Sequence, residues 1–234
     1  MTTPIIALDY SSMTETDRFL RQFDEALFVK IGMELYLQNG PEIIKEIRAM
    51  GHDIFLDLKL HDIPNTVGKA MEGIGRMDVK MTNVHAQGGS HMMRRAMESF
   101  KDGNPEGILV AVTQLTSTDR GMVTKEQRSV LTLDESVVHY AELAKSSGLD
   151  GVVSSPLEAE PIHENCGNGF LTVTPGIRLE EDSNDDQARV VTPDTAQKLG
   201  SDLIVVGRSI TEAADAPEKY KAIKTMWESG DKIS

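Results

Sequence analysis

Eight short apolar segments recur along this chain, and each is followed by a stretch with the composition of a helix. Runs of Val, Ile and Leu bounded by turn residues are typical of strands that a parallel sheet buries on both faces. No linker or low-complexity tract interrupts the alternation. The predicted strands are residues 5–8, 27–31, 54–60, 80–84, 107–112, 151–153, 170–173 and 203–206.

This alternation requires crossover connections and a parallel sheet, which places the chain in the α/β class. Eight units within 234 residues come close to the ~250 residues that are typical of a closed barrel. We therefore predict a (β/α)8 TIM barrel, a single domain over residues 1–234. An open doubly wound sheet is the alternative, and the absence of a Gly-x-Gly-x-x-Gly fingerprint after any strand disfavours it.

The third predicted strand carries charge on one face only. Residues 54–60 alternate with a period of two, so that one face is aliphatic and the other presents Asp57 and Lys59 near the carboxyl end. Asp62 follows directly, and Pro64 favours the start of a helix. Since the carboxyl ends of barrel strands meet at one mouth, this segment has the organisation of an active site.

The first two strands end in one charge each, Asp9 and Lys30. With the three charges of the third strand they form an alternating array of Asp and Lys, which compensates charges that would each cost several kcal/mol if buried alone. The aspartates could hold Mg²⁺, but the lysines already supply cationic charge. No set of three imidazoles or carboxylates suited to zinc is found, and we predict no metal site.

Two loops at the other side of the predicted mouth are suited to phosphate. Residues 174–178 read Thr-Pro-Gly-Ile-Arg after the seventh strand, and residues 207–209 read Gly-Arg-Ser after the eighth. Barrels commonly bind phosphate in these two loops. Glycine lets the backbone N–H groups approach the phosphate, and arginine donates hydrogen bonds to its oxygens. Gln187, beyond the acidic loop 179–186, could close over the same group.

Composition limits the partners. A net charge of −13 disfavours nucleic acid and anionic membranes, which both attract basic faces. No window reaches the ~18 apolar residues of a membrane helix, and the first residues lack the cationic region of a signal peptide. Cys166 is the single cysteine, so no intramolecular disulfide is possible. We expect a cytoplasmic protein without nucleic-acid or membrane partners.

Residues 57–66, Asp-Leu-Lys-Leu-His-Asp-Ile-Pro-Asn-Thr, closely resemble the signature of the orotidine 5′-phosphate decarboxylase family, bacterial members in particular. The resemblance covers the whole chain, and its further motifs are Ile-Ala-Leu-Asp9, Phe-Val-Lys30, Asn-Val-His85, Val-Thr-Gln-Leu-Thr116-Ser, Thr-Pro-Gly-Ile-Arg178 and Val-Val-Gly-Arg208-Ser. It implies decarboxylation of orotidine 5′-monophosphate (orotidylate) to uridine 5′-monophosphate (uridylate), the last step of de novo UMP biosynthesis, without a cofactor.

The resemblance also implies roles for individual residues. Lys59 would be the proton donor, and Asp57, Lys30 and Asp62 would complete the catalytic network. Asp62 would reach into the neighbouring subunit's site together with Thr66, which implies a homodimer. The implied substrate contacts are Asp9 and Lys30 to the ribose, Thr116 to the pyrimidine, Gln187, Gly207 and Arg208 to the phosphate, and Arg178 and Pro175 close by.

Three other hypotheses fit the same scaffold. Relatives with the Asp-x-Lys-x-x-Asp pattern decarboxylate a sugar keto-acid phosphate with Mg²⁺, and inhibition by EDTA would favour that activity. An aldolase that forms a Schiff base on Lys30 or Lys59 would be trapped by borohydride. A non-catalytic protein that binds phosphate ligands would hold uridylate without turning over orotidylate.

Overall fold

The computed structural model describes residues 3–179 and 191–230. Eight parallel strands in these ranges form a closed barrel in chain order, with the last strand paired to the first, which confirms the predicted (β/α)8 fold. The prediction of one domain over residues 1–234 includes residues outside these ranges and stays a prediction. The strands are β1 (Ile5–Leu8), β2 (Phe28–Gly32), β3 (Asp53–Leu60), β4 (Met81–His85), β5 (Ile108–Val112), β6 (Gly151–Val153), β7 (Leu171–Thr174) and β8 (Leu203–Val206).

Helices surround the barrel and connect its strands. No helix among the described residues is long and apolar enough to cross a membrane. Short 3₁₀ turns cover residues 86–88 and 156–158, and a π-helical turn covers residues 122–126. The α-helices are α1 (Met13–Leu20), α2 (Met33–Asn39), α3 (Glu42–Ala49), α4 (Pro64–Gly75), α5 (Gly89–Gly103), α6 (Leu133–Ser146), α7 (Ala159–Cys166), α8 (Pro193–Lys198), α9 (Arg208–Thr211) and α10 (Ala216–Ser229).

The core has two layers because strand side chains alternate between the two faces of the barrel wall. In β3, Ile54 and Leu56 belong to the layer between barrel and helices, while Phe55 belongs to the layer inside the barrel. Each fully buried side chain of this size contributes about 2 kcal/mol of hydrophobic stabilisation. The inner layer consists of Ile5, Ala7, Phe28, Phe55, Met81, Val110, Val173, Leu203 and Val205.

The amino ends of the strands are closed by ion pairs. Asp53, at the start of β3, accepts a hydrogen bond of 3.1 Å from Arg48 and also forms an ion pair with Lys80. Arg48 reaches Asp78 at 2.8 Å, and the Lys80 ammonium lies 5.1 Å from the ring centre of Phe28. These charges neutralise one another, so this end of the barrel is stabilised separately from the mouth.

Helix α4, which begins just beyond the mouth, packs closely on α5. A Cβ atom at Gly75 would lie 2.8 Å from the carbonyl oxygen of Phe100 and 3.1 Å from the Cα of Gly103. Only glycine allows the two backbones to approach to this distance. The contact fixes the helix that follows β3 and therefore the segment that joins strand and helix at the mouth.

Candidate active site

Strand β3 leaves regular geometry at Lys59. Its φ angle is 52°, in the left-handed region that a lysine rarely occupies. The pairing of β3 with β4 shifts at the same place, because Leu56 pairs with Thr82 whereas Leu60 pairs with Val84. Such a conformation costs about 1 to 3 kcal/mol and persists only where neighbouring groups support it. The Lys59 N–H donates to the side-chain oxygen of Asn83 at 2.8 Å.

Asp57 is the centre of the charged cluster at the mouth. The side chain of this residue, which is only 7% exposed, accepts two hydrogen bonds of 2.6 Å at Oδ1, one from Lys59 Nζ and one from Asn83 Nδ2. Its other oxygen lies 3.4 Å from Lys30 Nζ, and Lys30 lies 3.7 Å from Asp9. Two ammonium groups and two carboxylates thus form one continuous array from three neighbouring strands.

The array keeps Asp57 ionised. Burial disfavours the charged form of this carboxyl group, whereas the positive charges of Lys30 and Lys59 favour it. Hydrogen bonds from Lys59 and Asn83 act in the same direction, and the pKa of Asp57 lies below its ordinary value. An ion pair about 4 Å apart is worth roughly 4 kcal/mol at an effective dielectric constant of 20, which offsets much of the cost of desolvation.

A cavity of about 310 Å³ opens over this array at the carboxyl ends of the strands. This volume suits a small organic ligand. The cavity is lined on one side by the charged array and on the other by the loops after β7 and β8. Nine residues predicted from the sequence line it: Asp9, Lys30, Asp57, Lys59, Thr116, Pro175, Arg178, Gly207 and Arg208.

The loops after β7 and β8 contribute donors to the cavity that have no acceptor among the described residues. Within the described residues, neither Arg178 nor Arg208 forms an ion pair with a carboxylate. The hydroxyl group of Ser209 also lines the cavity, is buried, and has no hydrogen-bond partner among those residues. A Cβ atom at Gly207 would lie 3.2 Å from Asp9 Oδ2, so glycine keeps this wall open. Arg178, Arg208 and Ser209 could together bind an anion.

Two of the predicted residues that the structure describes, Asp62 and Thr66, do not line this cavity. Asp62 and Thr66 are exposed at the start of α4, and Asp62 accepts a hydrogen bond of 2.6 Å from the Ile63 N–H. Gln187 lies outside the described residues. The catalytic role predicted for Asp62 and the binding roles predicted for Thr66 and Gln187 stay predictions.

Asn83 is the residue of the array that the sequence analysis missed. It is fully buried on β4 and contacts both Asp57 and Lys59. The signal available in the sequence was a polar amide two residues from Met81, on the strand face that points into the barrel. Alternation alone does not distinguish such a residue from one that faces solvent.

His85 ends β4 beside the array. Burial lowers the pKa of its imidazole, and the nearby His61 and Lys59 lower it further. Its ring centre lies 5.7 Å from that of His61. In residues 3–179 and 191–230, no three His, Cys, Asp or Glu side chains are grouped as ligands for a metal ion.

Comparisons with known proteins agree on one family. A family model described as orotidine 5'-phosphate decarboxylase / HUMPS matches residues 2–223. Relatives named orotidine 5'-phosphate decarboxylase, from Staphylococcus saprophyticus and Staphylococcus haemolyticus, are 55% and 54% identical over 224 residues, which is 96% of this chain and 97% of each relative. The crystal structure of orotidine 5'-phosphate decarboxylase from Lactobacillus acidophilus superimposes with a TM-score of 0.88 at 40% identity, covering 97% of this chain and 99% of that one.

Removing the central carboxylate should destabilise the protein in a manner that depends on pH. We expect Asp57→Asn to lower the free energy of unfolding at pH 7 by about 2 kcal/mol, because Lys59 loses its carboxylate partner and Lys30 loses the nearer of its two. The folded pKa of Asp57 is depressed, so its stabilisation is present above the unfolded value of about 3.9 and is lost as the pH falls through the lower folded value.

Urea unfolding between pH 8 and pH 3.5 tests this expectation. The difference in the free energy of unfolding between Asp57→Asn and the native protein should be constant above about pH 5 and should become smaller below about pH 4. Asp102→Asn removes the same charge from an exposed position of α5 and serves as the matched control. An Asp57→Asn protein that is as stable as the native one at pH 7 contradicts the electrostatic account.

Proposed function

The chain is an enzyme of the orotidine 5'-phosphate decarboxylase / HUMPS family, and we propose that it converts orotidylate to uridylate without a cofactor, as the last step of UMP biosynthesis. One observation carries the mechanism: the ammonium group of Lys59 lies 2.6 Å from Asp57 in a cavity that is also lined by Arg178 and Arg208, which form no ion pair with a carboxylate of the described residues. The lysines supply the positive charge that a metal ion would otherwise bring.

The chemistry requires a cation beside C6 of the pyrimidine. When the bond from C6 to the carboxylate breaks, carbon dioxide leaves and its electron pair remains on C6, which has no adjacent electron sink. The ammonium group of Lys59 stabilises this carbanion and then transfers a proton to C6. The amine regains its proton from solvent, which it can reach because the side chain of Lys59 is 26% exposed.

Asp57 acts on the substrate before the bond breaks. Two carboxylates about 4 Å apart repel each other by roughly 4 kcal/mol at an effective dielectric constant of 20. An ionised Asp57 beside the substrate carboxylate therefore raises the energy of the bound substrate, and the departure of carbon dioxide relieves the repulsion. The lowered pKa of Asp57 supports the ionised state that this role needs.

The other wall of the cavity binds the phosphate of the nucleotide. Arg178 and Arg208 bind its oxygens, and Gly207 lets the backbone approach. Gln187, which lies outside the described residues, is assigned to the same phosphate by the family resemblance. Asp9 and Lys30 hold the ribose, while Thr116 contacts the pyrimidine beside Pro175. Binding energy gained at the phosphate holds the reacting carbon against Lys59, so that affinity far from C6 contributes to the rate.

We propose a homodimer in which each subunit supplies Asp62 and Thr66 to the neighbouring site. Both residues are exposed on the segment that follows β3. Large apolar side chains are exposed beyond the same ends of β2 and β3: Leu37 is 76% exposed and Ile63 is 66% exposed. A second copy of the chain would cover this surface and place Asp62 over the array of its partner.

Replacing Lys59 should stop the reaction without stopping ligand binding. We expect Lys59→Ala to lower kcat by roughly 10³-fold or more, because both charge stabilisation and proton donation are lost. Uridylate should still bind within about tenfold of the native affinity, since the phosphate donors remain. Lys45→Ala, on the exposed face of α3, is the matched control and should leave both quantities unchanged.

Absorbance assays of orotidylate and calorimetric titration with uridylate measure the two effects. A Lys59→Ala protein that keeps a native melting temperature and turns over within tenfold of the native rate contradicts the proposed role. Loss of uridylate binding with a native melting temperature would instead assign Lys59 to binding.

Mixing two inactive variants tests the shared site. Lys59→Ala and Asp62→Ala homodimers should each be inactive. In a mixed dimer, one site carries both defects and the other carries neither. Random mixing should therefore restore about a quarter of the native activity. The control is each variant mixed with itself, and a mixture no more active than its parts contradicts the proposed contribution of Asp62 to the partner's site.

A further inference from the structure

Asn83 uses both ends of its side chain at the centre of the array. Its Oδ1 accepts a hydrogen bond of 2.8 Å from the backbone N–H of Lys59, and its Nδ2 donates one of 2.6 Å to Oδ1 of Asp57. The orientation of the amide follows from its partners, because a backbone N–H needs an acceptor and a carboxylate needs a donor. The side chain is fully buried, so water does not compete for either bond.

The bond to Lys59 falls where β3 is strained. Lys59 has a left-handed backbone, and the pairing of β3 with β4 shifts between Leu56 and Leu60. At this point the side chain of Asn83 on β4 accepts a hydrogen bond from the backbone N–H of Lys59. The hydrogen bond therefore supports the backbone conformation that brings the ammonium group of Lys59 to Asp57.

We propose that Asn83 is a positioning residue that fixes the backbone of Lys59 and the carboxylate of Asp57 relative to each other, and so aims the ammonium group at the reacting carbon. The kinetic part of this inference rests on the proposed decarboxylase activity, whereas its structural part does not. Few residue types can both accept a hydrogen bond from the Lys59 N–H and donate one to Asp57. Aspartate accepts but cannot donate when ionised, leucine does neither, and glutamine is longer by one methylene group.

The side-chain amide group of Asn83 also affects the protonation of Asp57, to which it donates a hydrogen bond. The groups that face Asp57 are Lys30 from β2, Lys59 from β3, and Asn83 and His85 from β4, with Asp9 of the β1 end paired to Lys30. The hydrogen bond from Asn83 favours the ionised form of Asp57. Loss of this hydrogen bond should raise the pKa of Asp57. The acidic limb of the pH profile of kcat should then move to higher pH.

Two variants and one control separate positioning from general stability. Asn83→Leu removes both hydrogen bonds at similar volume. Asn83→Asp keeps the shape and the acceptor, removes the donor and adds a second carboxylate beside Asp57. Thr82→Val is the matched control, because Thr82 is equally buried on the same strand and its hydroxyl donates to the Leu56 carbonyl oxygen at 2.9 Å, on the side facing the helices.

For both Asn83 variants we expect kcat to fall by roughly 10- to 100-fold, the range that corresponds to a lost hydrogen bond to a charged group. The dissociation constant of uridylate should change by less than about threefold, because the phosphate donors are intact. Thr82→Val should keep kcat within about twofold of the native value even if it lowers the melting temperature.

A measurement without substrate keeps this inference separate from the proposed function. The ¹³C resonance of the Asp57 carboxyl group, followed by NMR in the nucleotide-free protein, should titrate at higher pH in Asn83→Leu, which adds no charge, than in the native protein or Thr82→Val. That result supports the contact with Asp57 even if the native protein does not decarboxylate orotidylate. An unchanged Asp57 titration, or a fall in kcat that Thr82→Val reproduces, overturns the inference. If Asn83→Leu does not fold, Asn83→Ala replaces it, because this change also removes both hydrogen bonds without adding a charge.

Discussion

The carboxylate of Asp57, held between two ammonium groups, is the interaction on which the rest of the site depends. A lysine pair without it would repel, and a buried carboxylate without the lysines would not stay ionised. The barrel register makes the arrangement possible, because Gly32 of β2 pairs with Asp57 of β3.

Stability and chemistry occupy opposite ends of the barrel. At the amino ends, the charges of Arg48 and Lys80 are neutralised by Asp53 and Asp78, and the Lys80 ammonium lies over the ring of Phe28 in the inner core. Close packing at Gly75 fixes the helix after β3. These features provide the rigid frame against which the left-handed conformation of Lys59 can be maintained. Strain of this kind is concentrated where a side chain must point in a direction that a regular strand does not offer.

Much of this organisation was predictable because it is local in the sequence. The period-two pattern of residues 54–60 fixes which side chains face the barrel interior, and the eight strand ends follow from the alternation of apolar runs and turns. The backbone of Lys59 and the double contact of Asn83 were not predictable, since both depend on the offset between β3 and β4. The role proposed for Asp62 would depend on a second subunit, and the periodicity of a single chain gives no signal for such a contact.

The central claim is that positive charge from lysine side chains, acting without a metal ion, carries the loss of carbon dioxide and the delivery of a proton to C6. The most direct test is the reaction of metal-stripped protein with orotidylate in D₂O, with and without EDTA, followed by NMR of the product. The account predicts equal rates under both conditions and uridylate with one deuterium at C6. No consumption of orotidylate, or activity that returns only when Mg²⁺ is added, would contradict it.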